Sequence, residues 1–303
     1  MNAILDVVTQ NIVPIFIVAG LGYWLRRRLD IPTRPVSSVV FNVFSPALVF
    51  VSLVNSRLDG DELVRLLAFA ALSIVTMGTL AYIAARLLRM SRTDTIALLL
   101  VVMFVNGGNY GLTLNQLRYG EDGLSRAIVY FVTGTIFVYT VGVFLASMGR
   151  QSRRHAFVGL VRVPAIYAVV AALIVYLTGL EVPGPLMSAL EITADGAIPA
   201  MLVVLGMNMA SMDGLASWRL VLPGSVLRMV VAPLVAVTLA GVIGLRGLGY
   251  ATSIIEASMP TAVITTVLAT EYDVHQSAVT KTVVLTTLVS PLTLALIITL
   301  LAL

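Results

Sequence analysis

Two short stretches hold most of the groups that could do chemistry. Asn106-Gly107-Gly108-Asn109-Tyr110-Gly111-Leu112-Thr113 places three glycines and two asparagines in eight residues of an otherwise apolar run. Three glycines make a poor helix interior. Asparagine amides donate and accept hydrogen bonds without burying a formal charge. Glu256-Ala257-Ser258-Met259-Pro260-Thr261 sets a carboxylate about one turn before a proline in a second apolar run, and Pro260 removes a backbone donor and clashes with the preceding turn. A broken helix frees N–H and C=O groups that need partners, and its half-helix N-termini carry partial positive charge that suits a carboxylate. The chemistry expected is therefore non-covalent binding of a small anion. Read alone, Gly107-x-x-x-Gly111 also fits a helix-packing motif.

Covalent and metal chemistry find no support in the residue types. The chain has no Cys and two His, so thiolate nucleophiles, disulfides and His-rich metal sites are not expected. It lacks H-E-x-x-H, G-x-G-D and G-x-x-x-x-G-K-[ST] patterns, which argues against an intramembrane protease and an autonomous ATP-driven pump. No enzyme activity, cofactor or metal is expected. Gly120-Glu121-Asp122-Gly123 reads as a turn.

The elements that must hold these groups are membrane helices. Of 303 residues 59% are hydrophobic and 11% charged, and mean hydropathy is +1.00. That composition excludes a water-soluble enzyme, a disordered regulator and a nucleic-acid binder. A helix needs about 20 apolar residues to cross a bilayer. Such runs cover 7–25, 35–56, 66–85, 95–117, 127–149, 163–180 and 196–212, and with one interruption or a short overlap 220–245, 247–270 and 282–303. Ten transmembrane helices are expected, with no soluble domain. Met1–Leu5 carries no positive charge, unlike the start of a cleavable signal peptide. Alternate loops, from 26–34 through 150–162 to Lys281, hold 13 basic residues, against five in the others. The excess of Arg and Lys places the 150–162 loop in the cytoplasm and both termini outside a cell membrane.

Sliding the chain on itself by 153 residues superposes Pro46-Ala47 on Pro199-Ala200, Asn55 on Asn208, Tyr119 on Tyr272 and Thr133 on Thr286. The halves, 1–150 and 154–303, hold five spans each. An odd number sends the second copy through the membrane in the opposite sense, so they are expected to be inverted repeats, an architecture of secondary transporters. The same shift puts Gly107 on Pro260. Each break falls roughly 16–18 Å into its span, near the middle of a core about 30 Å thick. Spans 4 and 9 are expected to be broken helices that cross at the midplane.

Ionisable residues within spans are functional candidates. Arg228 reads either as a partner for an anion or a helix end near the break, or as the ion-pair partner of Glu256. Glu256 is also a candidate proton carrier. Asp195, just before Gly196, is expected to cap a half-helix rather than to bind substrate. Lys281 is expected to snorkel, and His275 to be a solvated loop residue.

Around these residues the chain resembles the auxin efflux carrier family, which includes the plant PIN auxin exporters and bacterial carriers of malonate or related acids. Ala269-Thr270-Glu271-Tyr272-Asp273-Val274-His275 is similar to the A-K-E-Y-N-V-H of plant PINs. Arg228-Met229-Val230-Val231-Ala232-Pro233 with Gly244-Leu245-Arg246-Gly247 resembles their R-x-x-x-x-P and G-L-R-G stretches, and 106–114 resembles the bacterial N-x-G-N-x-G-L-P-L crossover. The chain departs from the family at Thr113, where proline is usual; Thr can bond back to its own helix. The resemblance implies a homodimeric elevator. A scaffold would come from spans within 5–56 and 158–212, and a moving transport domain from spans within 63–149 and 217–303. Asn106, Gly107, Gly108, Asn109, Thr113, Met259, Pro260 and Thr261 would form the substrate site, with Arg228, Glu256 and Asp195 in supporting or coupling roles.

The function expected is transport of a small organic anion, a malonate-like or auxin-like carboxylate, most readily outward under an inside-negative potential. A sodium- or proton-coupled symporter is the alternative, with Thr133 and Thr286 as cation ligands or as plain helix-packing hydroxyls. An intramembrane enzyme or a receptor is remote. The partners expected are the anion, the bilayer and a second copy, and no nucleic acid.

Overall fold

The computed structural model describes residues 2–56, 58–147, 163–210 and 218–300. The basic loop 150–162, on which part of the orientation argument rests, lies outside the described residues, as does Arg57. Helices account for the regular structure. Seven helical stretches are long and apolar enough to span a bilayer: Leu5–Leu29 (α1), Thr33–Val54 (α2), Gly60–Leu87 (α3), Gly107–Ala146, Gly184–Ala210 (α8), Trp218–Ile243 (α9) and Gln276–Leu300 (α12). Gly120, at φ +64° and ψ −155°, breaks Gly107–Ala146 into two helices, α5 over 107–119 and α6 over 121–146. Shorter helices are Arg92–Met103 (α4), Pro164–Thr178 (α7), Gly247–Ala257 (α10) and Ile264–Glu271 (α11).

The helix ends follow from local sequence. Asp59 accepts a 2.6 Å hydrogen bond from the Glu62 N–H at the start of α3, and Asp61 and Glu62 add negative charge to that first turn. Ser91 opens α4 by accepting from the Asp94 N–H at 3.1 Å while donating to Asp94 Oδ2 at 2.7 Å. Pro164 lies in the first turn of α7, and Gly179 closes that helix in the left-handed conformation. α9 ends at Gly244, where Arg65 from α3 donates to the Gly244 carbonyl at 3.0 Å. A cation at a helix C-terminus is the favourable sign.

Helix α1 packs along the second half of α8, where Cβ atoms at Gly22 and Gly206 would overlap the opposite backbone. This small-residue contact is of the kind that lets membrane helices approach closely. Helix α2 packs on α7 and on the first half of α8. Helix α3 packs on α4, α6 and α9, with Phe69 against Tyr130 at 6.1 Å between ring centroids. At one end of that second group Arg126 of α6 grips both carboxylate oxygens of Glu62, at 2.7 and 2.8 Å. The pair is largely shielded from solvent, so it contributes more than an exposed one. Glu62→Gln is expected to lower stability by about 1.5–3 kcal/mol, the range for a hydrogen bond to a charged group, read as a lower melting temperature of the detergent-purified protein.

Candidate functional site

The site is built where two helices stop. Helix α4 ends at Met103 and α5 begins at Gly107; α10 ends at Ala257 and α11 begins at Ile264. The intervening segments lie side by side and antiparallel. The Asn106 N–H donates to the Pro260 carbonyl at 2.8 Å, and the Ala262 N–H to the Phe104 carbonyl at 2.9 Å, around a Val105–Thr261 bridge. The Gly-rich and Pro breaks thus meet in space. The first break begins at Phe104, before the glycines, and the glycines themselves form a wide helical turn over Gly107–Leu112.

Backbone groups freed by the breaks are paired in turn, as a low-dielectric interior demands. Thr261 Oγ1 donates to the Val101 carbonyl at 2.8 Å, and Thr286 Oγ1 accepts from the Thr261 N–H at 3.2 Å. The Gly111 N–H donates to the Asn106 carbonyl at 3.1 Å. Arg228, 2% exposed, reaches in from α9 and donates to the Val102 carbonyl at 2.8 Å and to the Ala257 carbonyl.

Glu256 is fully buried. Asn115 Nδ2 donates to its Oε1 at 3.1 Å. Its carboxylate lies against Gly107 and Gly111, where a Cβ on Gly107 would stand 2.6 Å from Oε2. The spacing that reads as a helix-packing motif therefore makes room for a side chain. Among the described residues no ion pair joins Arg228 to Glu256. The guanidinium meets helix ends instead.

Beside the crossing lies a cavity of about 350 Å³. One wall is Asn106, Gly107, Gly108 and Asn109; a second is Ala262, Val263 and Ile264; α6 adds Tyr130, Phe131 and Thr135. The facing wall comes from α2 and α8, with Arg34, Ser37, Ser38, Asn42, Ser45 and Asn208. Among the described residues Arg34 is the charged one in this lining, and no carboxylate shares it. Asn106 Nδ2 is buried with no hydrogen-bond partner.

The eight residues expected to bind substrate divide. Asn106, Gly107, Gly108 and Asn109 line the cavity, whereas Thr113, Met259, Pro260 and Thr261 are buried behind it. In the second break the wall is displaced by a few residues to Ala262–Ile264, because Pro260 and Thr261 turn their polar groups onto the first break. Thr113 Oγ1 reaches back to the Asn109 carbonyl at 3.5 Å. Asp195 ends the first helical half of α8, is exposed and makes no capping hydrogen bond; the turn there is formed by Gly196, and the capping expected of Asp195 is not what the structure contains. Thr133 bonds its own helix through the Val129 carbonyl. Lys281 packs over the Trp218 ring at 4.2 Å, and His275 Nε2 lies 3.2 Å from Asp94 Oδ1 at the start of α4. Sequence reasoning missed Asn115 and the α2 wall. Asn115 carries a usable signal, since it lies one turn after Gly111 on the same helical stripe.

Comparison with known proteins gives the same class. The chain matches the family described as membrane transport protein twice, over residues 7–156 and 147–298. An uncharacterized transporter of Methanothermobacter thermautotrophicus is 28% identical over 295 residues, covering 95% of this chain and 96% of that protein. A second transporter, from Methanocaldococcus jannaschii, is 23% identical over 270 residues, covering 86% and 87%. A probable auxin efflux carrier component 1b of Oryza sativa subsp. japonica is 28% identical over 147 residues, which is 45% of this chain and 26% of the rice protein.

Proposed function

We infer from its place in the membrane transport protein family, the auxin efflux carrier family to which this chain belongs, that it is a secondary transporter of a small organic carboxylate. The chain is a multi-pass membrane protein of a transporter family, not an enzyme. The observation that carries the substrate class is the cavity lining. One arginine and several amide and hydroxyl groups line the cavity, no carboxylate shares that lining among the described residues, and Asn106 at its wall keeps a buried Nδ2 without a hydrogen-bond partner. Such a lining attracts a carboxylate and repels no anion. A volume of about 350 Å³ is at the small end of ligand pockets, which suits a short dicarboxylate or a single-ring aromatic acid.

The helices that face each other across the cavity support an elevator mechanism. Helices α1, α2, α7 and α8 would be the scaffold, and α3–α6 with α9–α12 the moving domain that carries the crossing. In this reading α4 with α5 is the fourth of ten crossings and α10 with α11 the ninth, the halves are inverted repeats, and both termini lie outside. Arg34 and Asn208 then fall at cytoplasmic ends of their helices, so the described conformation opens inward, and sliding of the moving domain would carry the anion outward. Efflux is favoured by about 2.3 kcal/mol per charge per 100 mV of inside-negative potential. The scaffold also supports a homodimer. Asp195 and Glu191 of α8 are exposed within an apolar helix, and an intramembrane carboxylate facing lipid is costly; a second copy would cover them.

The test is flux from proteoliposomes loaded in turn with labelled malonate, acetate, pyruvate and indole-3-acetate, under an imposed inside-negative potential. Potential-driven efflux of at least one acid is expected. Absence of flux for every carboxylate tried, in a correctly inserted protein, would overturn the reading.

A further inference from the structure

Away from the crossing, four helix ends carry basic residues. Arg86 lies in the last turn of α3, Arg89 and Arg92 flank the turn into α4, Arg219 opens α9, and Lys281 lies in the second turn of α12. Two contacts draw these ends together. Arg219 Nη2 donates to the Leu88 carbonyl at 3.1 Å, which fixes the start of α9 to the α3–α4 turn. Lys281 Nζ stands 4.2 Å from the centroid of the Trp218 ring, which ties α12 to the same end of α9. Acidic groups do not cancel this charge. Asp94 on α4 accepts from Ser91 at 2.7 Å and faces His275 at 3.2 Å. Glu271 and Asp273 stand exposed at the α11–α12 turn. Among the described residues no ion pair joins a carboxylate to Arg86, Arg89 or Lys281.

The surface that continues from this cluster is apolar. From Trp218 the exposed face of α9 runs on through Leu222, Val226, Val230 and Leu234, each at least 45% exposed. A spacing of four keeps them on one side of the helix. Leu87 and Leu88 add exposed apolar surface between Arg86 and Arg89. Lysine's flexible stem lets its charge reach water from an apolar surface. The Lys281 ammonium is held instead over an indole at the head of the α9 stripe, and tryptophan is a residue type favoured at the membrane interface. A partner that matches both parts has an anionic head and long apolar tails. A free phosphate or an acidic peptide would meet the cations and leave the stripe bare.

We propose that this face binds an anionic phospholipid, its phosphate among Arg219, Lys281 and the α3–α4 turn and its acyl chains along α9. A lipid held so clamps the ends of α3, α4, α9 and α12 to one another. The proposal requires a bilayer and does not rest on the carrier reading.

The experiment follows the melting temperature of the full-length protein in a neutral detergent as lipid is titrated. Dioleoylphosphatidylglycerol is expected to raise it by several degrees along a saturating curve. Dioleoylphosphatidylcholine, with the same chains and no net charge, is expected not to. Inorganic phosphate and glycerophosphoglycerol, which lack the chains, are expected not to either; equal stabilisation by them would overturn the lipid in favour of a plain anion. A cation near an anionic surface is worth about 5-fold in binding. Arg219→Gln with Lys281→Gln is therefore expected to move the phosphatidylglycerol midpoint to roughly 30-fold higher concentration. Arg27→Gln with Arg28→Gln removes the same charge at the end of α1 and is expected to leave it nearly unchanged. Equal weakening by both pairs would mean diffuse attraction and would overturn the site. Should the first pair fail to accumulate, Lys281→Gln alone replaces it with an expected shift of about 5-fold, and an unmoved midpoint would overturn the proposal. A protein that moves no carboxylate would sink the carrier reading and leave this titration as decisive as before.

Discussion

Asn106→Ala is expected to reduce carboxylate flux about 10- to 100-fold while leaving the melting temperature almost unchanged. The reason lies in how the residue divides its work. Its backbone N–H and C=O hold the crossing, through Pro260 and Gly111, and alanine keeps both. Its side-chain Nδ2 is buried at the cavity wall with no partner. An unmet buried donor costs about 1–3 kcal/mol, and a hydrogen bond from it to a charged oxygen is worth about 1.5–3 kcal/mol. Loss of that bond corresponds to roughly one to two decades of affinity. The folded protein loses nothing by the truncation, since the group it removes is unsatisfied. Initial-rate flux against substrate concentration, paired with a melting curve, separates the two effects. Asn106→Asp sharpens the comparison, because a carboxylate at the same position should repel the anion and depress flux further. Normal flux in Asn106→Ala would move the binding site away from the first break.

The sequence carried the site's position better than its internal contacts. Glycine and proline announce a break because their backbone chemistry is local, and a fixed shift along the chain aligns Gly107 with Pro260; the structure pairs Asn106 with Pro260 directly. Arg228 was visible as an anomaly inside an apolar run, yet its partners are the carbonyls of Val102 and Ala257. Every residue has a carbonyl, so no residue type marks such a partner. The cavity wall was displaced in the second break because which residues of an unwound segment face outward is set by tertiary pairing, here the turn of Thr261 onto Val101. Ten apolar runs were legible, but seven long helical stretches appear among the described residues. Hydropathy does not distinguish a continuous helix from two halves. Nor does it see that α5 and α6 are separated by a single non-helical residue, Gly120. Asp195 misled because a carboxylate before a glycine looks like a cap, whereas the chain turns there with hardly any loss of helix.

The second large effect concerns the glycine stripe, and here the expected loss is of the fold. A Cβ on Gly111 would overlap both oxygens of the buried Glu256 carboxylate. Gly111→Val adds a branched side chain at that point, and the residues behind it cannot yield, since α10 is buried along 251–257. Forcing extra atoms into a packed interior costs about 1–3 kcal/mol. Displacing the carboxyl group from Asn115 adds about 1–3 kcal/mol for a buried polar group left without its hydrogen bond. Together these approach the 5–15 kcal/mol that holds an ordinary domain folded, so the variant should fail to yield a monodisperse peak in detergent. Gly134→Val, on α6 with open space where its Cβ would go, controls for valine in a helix. A second-site change identifies the cause. Glu256→Ala removes the obstructing carboxylate, and the double variant Gly111→Ala with Glu256→Ala should be more stable than the two single losses predict. Additive losses would mean that Gly111 and Glu256 do not share one space. Coupling between them would show that the gap in the first broken helix exists to admit an acidic side chain from the second. The same glycines that weaken a helix in the sequence are, in the folded chain, the seat on which the second broken helix rests.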